Sequence, residues 1–166
     1  MRLALLVLVA CHASPRPDVR VEIERAIDAE MVANRTKDID AFMANLDATF
    51  VLLSNEPGDA GRTIDKAAMR ADILRDWGVI AEMVDVRRWI TAMGPVTDTS
   101  AVVFTDQRYE RTMHRPDPSD PTLDRVVTTQ RHEEHWVRRP TGWKITAIKE
   151  LGGEILVNGK PYVEPK

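Results

Sequence analysis

The sequence predicts an α+β domain in which helices come first and long antiparallel strands follow. Two observations predict this class. Apolar residues recur every three to four positions up to residue 77, and the pattern changes to alternation in steps of two from residue 82 onwards. Strands and helices do not alternate along the chain, so we do not expect the parallel sheet of an α/β protein. An antiparallel sheet curved around helices makes a cone, and a cone has a mouth and a cavity.

The first two helices are predicted over residues 19–35 and 37–47. Asp18 is in position to cap the first helix, and Asp38 and Asp40 fall in the first turn of the second. The apolar stripe of the first helix is formed by Ile23, Ala26, Ile27 and Met31. The second helix has its stripe at Ile39, Phe42, Met43 and Leu46.

A short strand and a third helix come next. Residues 49–54 are β-branched and apolar and run into a turn, which predicts a strand. The third helix is predicted over residues 63–77, capped by Thr63 and stopped by Gly78. Its inward side chains would be Ile64, Ala68, Ala71 and Leu74.

Four long strands complete the predicted domain. They are expected over residues 82–93, 99–113, 124–139 and 142–150. Turns rich in glycine and proline separate them, at residues 94–98, 114–123 and 140–142. We place the domain at residues 19–152 and a C-terminal tail at residues 153–166.

The composition indicates one globular domain and excludes several classes of protein. Of the 166 residues 43% are hydrophobic and 30% are charged, which argues against a disordered chain. A formal net charge of -3 argues against a dedicated nucleic-acid-binding protein. One cysteine excludes an intramolecular disulfide and a multi-cysteine zinc site. We expect no cofactor, no metal and no nucleic-acid partner.

The N-terminus has the features of an export signal. Arg2 precedes an eight-residue apolar run, and the only cysteine, Cys11, follows the letters LVA. This segment resembles the bacterial lipobox, in which the cysteine is acylated and begins the mature chain. That interpretation predicts a signal peptide over residues 1–10, a tether over residues 11–18 and a lipid anchor at Cys11 on the periplasmic side of the envelope, with sorting to the outer membrane. The alternative is a buried N-terminal segment with Cys11 in the core.

The order of elements resembles the nuclear transport factor 2-like fold in its SnoaL-like branch. Residues 134–145, EHWVRRPTGWKI, resemble the hairpin in which a tryptophan ends one strand and a Gly-Trp pair opens the next. Residues 98–103, DTSAVV, resemble the turn and strand start that precede it. The resemblance covers residues 19 to about 152. It implies a cone of helices on a curved antiparallel sheet and, as in relatives of this fold, a homodimer.

The same resemblance selects one face of the penultimate strand. In several relatives this strand carries an arginine that points into the pocket five residues before the tryptophan, and Arg131 has that position here. Alternation then puts Glu133 and His135 beside it, whereas His132 and Glu134 face the other way. We expect Glu133 or His135 to act as general base and Arg131 to stabilise negative charge. The alternative for this row is an exposed ladder of charges.

Tyr109 on the neighbouring strand would supply a phenol to the same cavity, although a buried tyrosine held by one hydrogen bond is the commoner explanation for such a residue. His132 and His135 are three residues apart on a strand, so their rings point to opposite faces and we expect no metal site. The fold does not determine the chemistry, since the superfamily includes isomerases, dehydratases and cyclases. We expect a small apolar or amphipathic ligand in the cone. The alternatives are a cofactor-free isomerase, lyase or cyclase, and a dimeric interaction module of the cell envelope.

Overall fold

The chain folds into helices packed on the concave face of one curved sheet, which confirms the predicted α+β class. A computed structural model describes residues 18–55, 61–117 and 119–162. The predicted signal peptide and Cys11 lie outside these residues. No helix among the described residues is both long enough and apolar enough to cross a membrane. The elements are α1 Val19–Thr36, α2 Ile39–Met43, β1 Leu46–Leu53, β2 Thr63–Asp65, α3 Lys66–Val79, β3 Ile80–Val96, β4 Ser100–His114, β5 Leu123–Arg139, β6 Gly142–Val157 and β7 Lys160–Pro161.

The sheet is mixed, whereas the sequence predicted an antiparallel one. Its strand order is β2-β1-β6-β5-β4-β3, and β7 also pairs with β6. Every pair is antiparallel except β1 with β6, which run parallel. No hairpin joins β1 to β6, because α3 and four strands separate them in the chain, so the connection does not force an antiparallel pairing.

The helices differ from the prediction mainly at their ends. Asp18 caps α1 as predicted, accepting a hydrogen bond from the backbone N–H of Arg20 at 2.9 Å. Helix α2 ends at Met43 and β1 already begins at Leu46. Helix α3 begins at Lys66 and is capped by Asp65, whereas the prediction placed its start at Thr63.

The inward face of α3 was predicted wrongly for a related reason. Residues 63–65 pair with β1 as strand β2, so Ile64 is buried as a strand residue. It therefore does not belong to the apolar stripe of α3. Trp77 is buried and Met69 and Ile73 are half-buried, whereas Ala71 and Leu74 are exposed. This places a row of large apolar side chains from α3 beside the open side of the cone.

The predicted strands other than β4 are longer in the structure, and some contain bulges. Strand β3 continues to Val96 through the predicted turn, and its register against β4 shifts at four places. Strand β6 continues to Val157, so the predicted boundary at residue 152 falls inside it. Bulges bend a strand and increase its twist. They curve the sheet around the core, in which Trp136 and Ile145 are almost fully buried.

Candidate functional site

A cavity of about 470 Å³ opens between the helices and the concave face of the sheet. One part of its wall is apolar and comes from β1, β2 and α3: Phe50, Leu52, Ile64, Met69, Ile73 and Trp77. Another part is polar and comes from α1 and strands β3 to β5: Glu30, Asn34, Arg88, Tyr109, Thr128 and His132. This division suits an amphipathic molecule.

A buried cluster of charges lies at the polar wall. The Arg88 guanidinium donates to both carboxylate oxygens of Glu30, at 2.7 and 3.4 Å, and also to Glu134 at 3.5 Å. Glu134 further accepts hydrogen bonds from the Thr105 hydroxyl at 2.6 Å and from the Trp136 indole N–H at 2.9 Å. All the partners in this cluster are buried, so one cation is shared by two carboxyl groups away from water.

The local sequence explains why these side chains point inwards. Glu30 lies three residues after Ile27 and seven after Ile23, so it belongs to the apolar stripe of α1. Arg88 lies between Val86 and Ile90 in the alternating row of β3 that faces the helices. Both charges are therefore buried by the apolar pattern around them.

Glu30 is the carboxyl group of this cluster that lines the cavity, and its pKa is raised. Burial raises the pKa of Glu30, and the negative charge of Glu134 adds to this effect, while Arg88 opposes it. Burial alone would lower the pKa of Arg88, but the two carboxylates hold it above its ordinary value, so the guanidinium stays charged. Of the two carboxyl groups, only Glu30 is among the described residues that line the cavity.

Tyr109 and His132 are both uncharged at neutral pH. Burial raises the pKa of Tyr109 to about 12, so its phenol keeps its proton. Burial lowers the pKa of His132 to about 4, so its imidazole is neutral and presents one N–H donor and one acceptor nitrogen. The cavity thus combines a carboxylate with a raised proton affinity and two neutral groups that can donate hydrogen bonds.

The structure places the predicted row of β5 on the outer face of the sheet. Arg131 and His135 are exposed, Glu133 is half-buried, and His135 Nε2 lies 3.0 Å from Glu133 Oε1. The prediction that this row faces the cone was wrong, because Trp136 is 1% exposed and pleating puts residues of its parity inside. Tyr109, the fourth predicted residue, does line the cavity.

Sequence reasoning missed Glu30, Asn34 and Arg88, and assigned His132 to the wrong face. The parity of Trp136 was the signal available for His132, since a large aromatic side chain marks the buried face of a strand. For Glu30 and Asn34 the signal was their place on the apolar stripe of α1. Within the part of the chain that the structure describes, no three His, Cys, Asp or Glu side chains are grouped to hold a metal ion.

Comparison with known proteins identifies the fold alone. No protein-family model and no curated protein matches the chain. A solved structure from Novosphingobium aromaticivorans, provisionally named an aromatic ring hydroxylase, has a TM-score of 0.65 and 17% identity and covers 85% of this chain and 96% of its own. A nuclear transport factor 2-like protein from Cytophaga hutchinsonii has a TM-score of 0.60 and 16% identity, covering 80% and 97%. A type 2 hexachlorocyclohexane dehydrochlorinase has a TM-score of 0.62 and 10% identity, covering 88% and 93%. The chain therefore has the nuclear transport factor 2-like fold.

Proposed function

We propose that this protein is a cofactor-free enzyme of the lyase or isomerase class, which moves a proton on a small amphipathic molecule held in the cone. Glu30 is the proton acceptor, and Tyr109 and His132 stabilise the negative charge that develops on the substrate. The observation that carries the proposal is the buried carboxyl group of Glu30, which lines the cavity with a raised pKa.

Glu30 meets the requirements of a general base better than Glu134 and Asp76 do. A carboxylate removed from water binds a proton more strongly than one in solvent, and this makes it a better base near neutral pH. Glu134 is engaged by Thr105 and Trp136 and lies behind Arg88. Asp76 also lines the cavity and burial raises its pKa, but its side chain is 63% exposed. Water would compete there with any substrate.

The neutral groups complete the arrangement. When a base removes a proton from carbon, charge moves onto an electronegative atom of the substrate, and nearby hydrogen-bond donors stabilise it. The Tyr109 phenol and the His132 N–H can donate in this way, because both groups are uncharged at neutral pH and the phenol keeps its proton. One similar structure bears the name of a dehydrochlorinase, and the elimination this name describes also supports the lyase class.

A generic probe tests the base without knowledge of the natural substrate. 5-Nitrobenzisoxazole is a small aromatic molecule that opens when a base removes its single heterocyclic C–H proton. The proton goes to Glu30, the C–H electron pair forms the nitrile, and the N–O bond breaks with its electrons staying on oxygen, which gives the coloured 2-cyano-4-nitrophenolate as the single product. We expect a saturable rate with the full chain that exceeds the buffer rate and rises with pH as Glu30 loses its proton. The midpoint of that rise should lie above the ordinary glutamate pKa.

Two substitutions of the same kind separate the cavity from the outer face. Glu30→Gln keeps the size of the side chain and removes the base, so we expect the saturable rate to fall at least about a hundredfold. Glu133→Gln makes the same change on the outer face of β5 and should leave the rate unchanged. Equal rates for the wild type and Glu30→Gln would overturn the proposal. Binding of the probe without catalysis would favour a binding protein with the same cavity.

A further inference from the structure

Strand β3 is the last strand at one side of the described sheet, and it is long. It has 17 residues, whereas β2 at the other side has three. An end strand presents backbone N–H and C=O groups that no neighbouring strand binds, so a strand of another molecule can pair with them. Two apolar side chains of β3 increase this tendency, because Val84 and Trp89 are 49% and 47% exposed.

The segment Asp85–Ile90 is the regular part of β3. Its residues face successive residues of β4, from Glu110 back to Thr105, without a register shift. On both sides of this segment the register shifts, and bulges of this kind disrupt strand pairing. Pro95, further along the strand, has no N–H to donate. A second strand is therefore expected to add at Asp85–Ile90.

Two arginines of α1 reach this segment. Arg35 Nη1 donates a hydrogen bond to the carbonyl oxygen of Val86 at 3.3 Å. Arg20 Nη2 donates one to the carbonyl oxygen of Ile90, also at 3.3 Å, and Arg20 Nε is held by Glu24 at 2.8 Å. Both arginines are exposed, so they reach these carbonyl groups from the open side of the sheet.

Lys37 makes the same kind of contact at the start of β3. This residue is the C-cap of α1, and its ammonium group donates to the carbonyl oxygens of Ile80 at 2.6 Å and Trp77 at 2.9 Å. Helix α1 therefore runs antiparallel to β3 and places a basic side chain at three points of it. We call Arg20, Arg35 and Lys37 the edge cations.

The edge cations oppose the addition of a second strand in two ways. An incoming strand has to displace them from carbonyl groups, and each displaced donor loses its hydrogen bond. When the incoming strand belongs to a second copy of the chain, the positive charges of both copies also come together, and charged side chains are a common means by which proteins keep end strands unpaired.

We propose that the regular segment of β3 is a pairing surface for β3 of a second copy of this chain, and that the edge cations keep this surface unpaired. Antiparallel pairing of two identical strands is two-fold symmetric, so each copy offers the other the same backbone groups and the same exposed apolar side chains. The inference concerns the edge of the sheet and does not rest on the function proposed for the cavity.

Sedimentation velocity of the full chain tests the proposal. The triple variant Arg20→Met, Arg35→Met and Lys37→Met removes the donors and keeps the aliphatic stems of the side chains. We expect its weight-average mass to be at least about twofold that of the wild type at about 100 μM protein, because open edges pair. A homodimer formed elsewhere on the surface would be present in the wild type as well, so it does not affect this ratio.

A second triple variant controls for the loss of positive charge. Arg25→Met, Arg70→Met and Lys149→Met removes three exposed cations from α1, α3 and β6 and changes the net charge by the same amount. Its mass should equal that of the wild type. Equal masses for the wild type and the edge-cation variant, or equal association of the two triple variants, would overturn the proposal.

A lysine added to the edge-cation variant separates edge pairing from association of unfolded chains. Val84→Lys restores a charge on β3 next to the regular segment and should return the mass to that of the wild type. Leu74→Lys replaces an exposed apolar residue of α3, which is 43% exposed, and should leave the variant associated. Equal effects of the two lysines would contradict pairing at the edge.

Hydrogen exchange locates the contact. In the associated edge-cation variant, the amides of Asp85–Ile90 should exchange more slowly than in the wild type, because strand pairing adds hydrogen bonds there. Slower exchange in another element with no change at Asp85–Ile90 would overturn the proposal.

Discussion

The two faces of β5 carry nearly the same residues in opposite environments. The inner face has His132 and Glu134, and the outer face has Glu133 and His135, so each face has one histidine and one glutamate two residues apart. The inner side chains are 5% and 0% exposed, whereas His135 and Glu133 are 48% and 28% exposed. The strand is therefore an internal control in which residue type is constant and environment varies.

The environment decides what each pair can do. The outer imidazole contacts its carboxylate at 3.0 Å, in reach of water, where an ion pair contributes little to stability. On the inner face the glutamate is bound by Arg88, Thr105 and Trp136, and burial keeps the histidine neutral. The same two residue types thus form a surface contact on one side of the sheet and part of a cavity wall on the other.

The same comparison can be made with two arginines, Arg88 on the inner side of the sheet and Arg131 on the outer side. Here we expect the largest difference in the free energy of unfolding. Arg88→Met leaves the Glu30 and Glu134 carboxyl groups buried without their shared cation, so we expect the free energy of unfolding to fall by about 3–5 kcal/mol at neutral pH. Arg131→Met on the outer face should change it by less than about 0.5 kcal/mol. Urea denaturation of both variants measures this difference. Similar losses in the two variants would show that the inner cluster is not buried as the structure has it.

The histidines should differ in how they couple stability to pH. His132 has a pKa of about 4 in the folded chain against 6.5 when unfolded, so between these values the unfolded state binds the proton and the folded state does not. The contribution of His132 to the free energy of unfolding is therefore fully present above pH 6.5. It is lost as the pH falls towards 4, by at most about 3 kcal/mol. The raised pKa of Glu30 acts in the opposite direction, adding stability as the pH falls.

Denaturation of His132→Gln between pH 7 and 4.5 isolates the histidine from Glu30. Because the variant keeps Glu30, the difference between wild type and variant reports His132 alone, and the advantage of the wild type should shrink as the pH falls. His135→Gln is the matched control, and its difference from wild type should change much less. Parallel pH curves for the wild type and His132→Gln would contradict a buried neutral imidazole.

The sequence predicted the order of elements because hydrophobic period is a local property. Helix α1 and strands β4 and β5 lie within one residue of their predicted ends. The inner face of β5 was harder to predict, because both of its alternating rows of side chains are polar. Alternation alone therefore does not say which row points inwards. The resemblance chose the row of Arg131, whereas the parity of Trp136, which is buried in the core beside its β6 partner Ile145, marks the other row as the inner one.

Bulges set a second limit on prediction from sequence. On β3, Met83 and Met93 pack against the core, and so do Val86 and Ile90, although the first two have odd numbers and the others even ones. Register shifts between Met83 and Asp85 and between Ile90 and Ala92 account for the change of parity. Counting by twos therefore holds for the short run from Val86 to Ile90, which includes Arg88, but not along the whole of β3. The partners of Arg88 come from α1 and β5, so the charge cluster appears only when these elements are assembled.

The smallest expected effect concerns the two glutamates and tests the electrostatics of the site directly. Glu134→Gln removes the negative charge that helps to raise the pKa of Glu30, so the pKa of Glu30 should fall towards its ordinary value, although burial continues to raise it. Glu133→Gln removes a charge of the same sign from the next residue, but on the solvent side of the sheet, where water screens it. Carbon-13 NMR of the Glu30 carboxyl group across a pH titration measures both shifts. A pKa of Glu30 that moves equally in the two variants would mean that the sheet does not separate the two environments, and the chemistry proposed for the inner face would lose its basis.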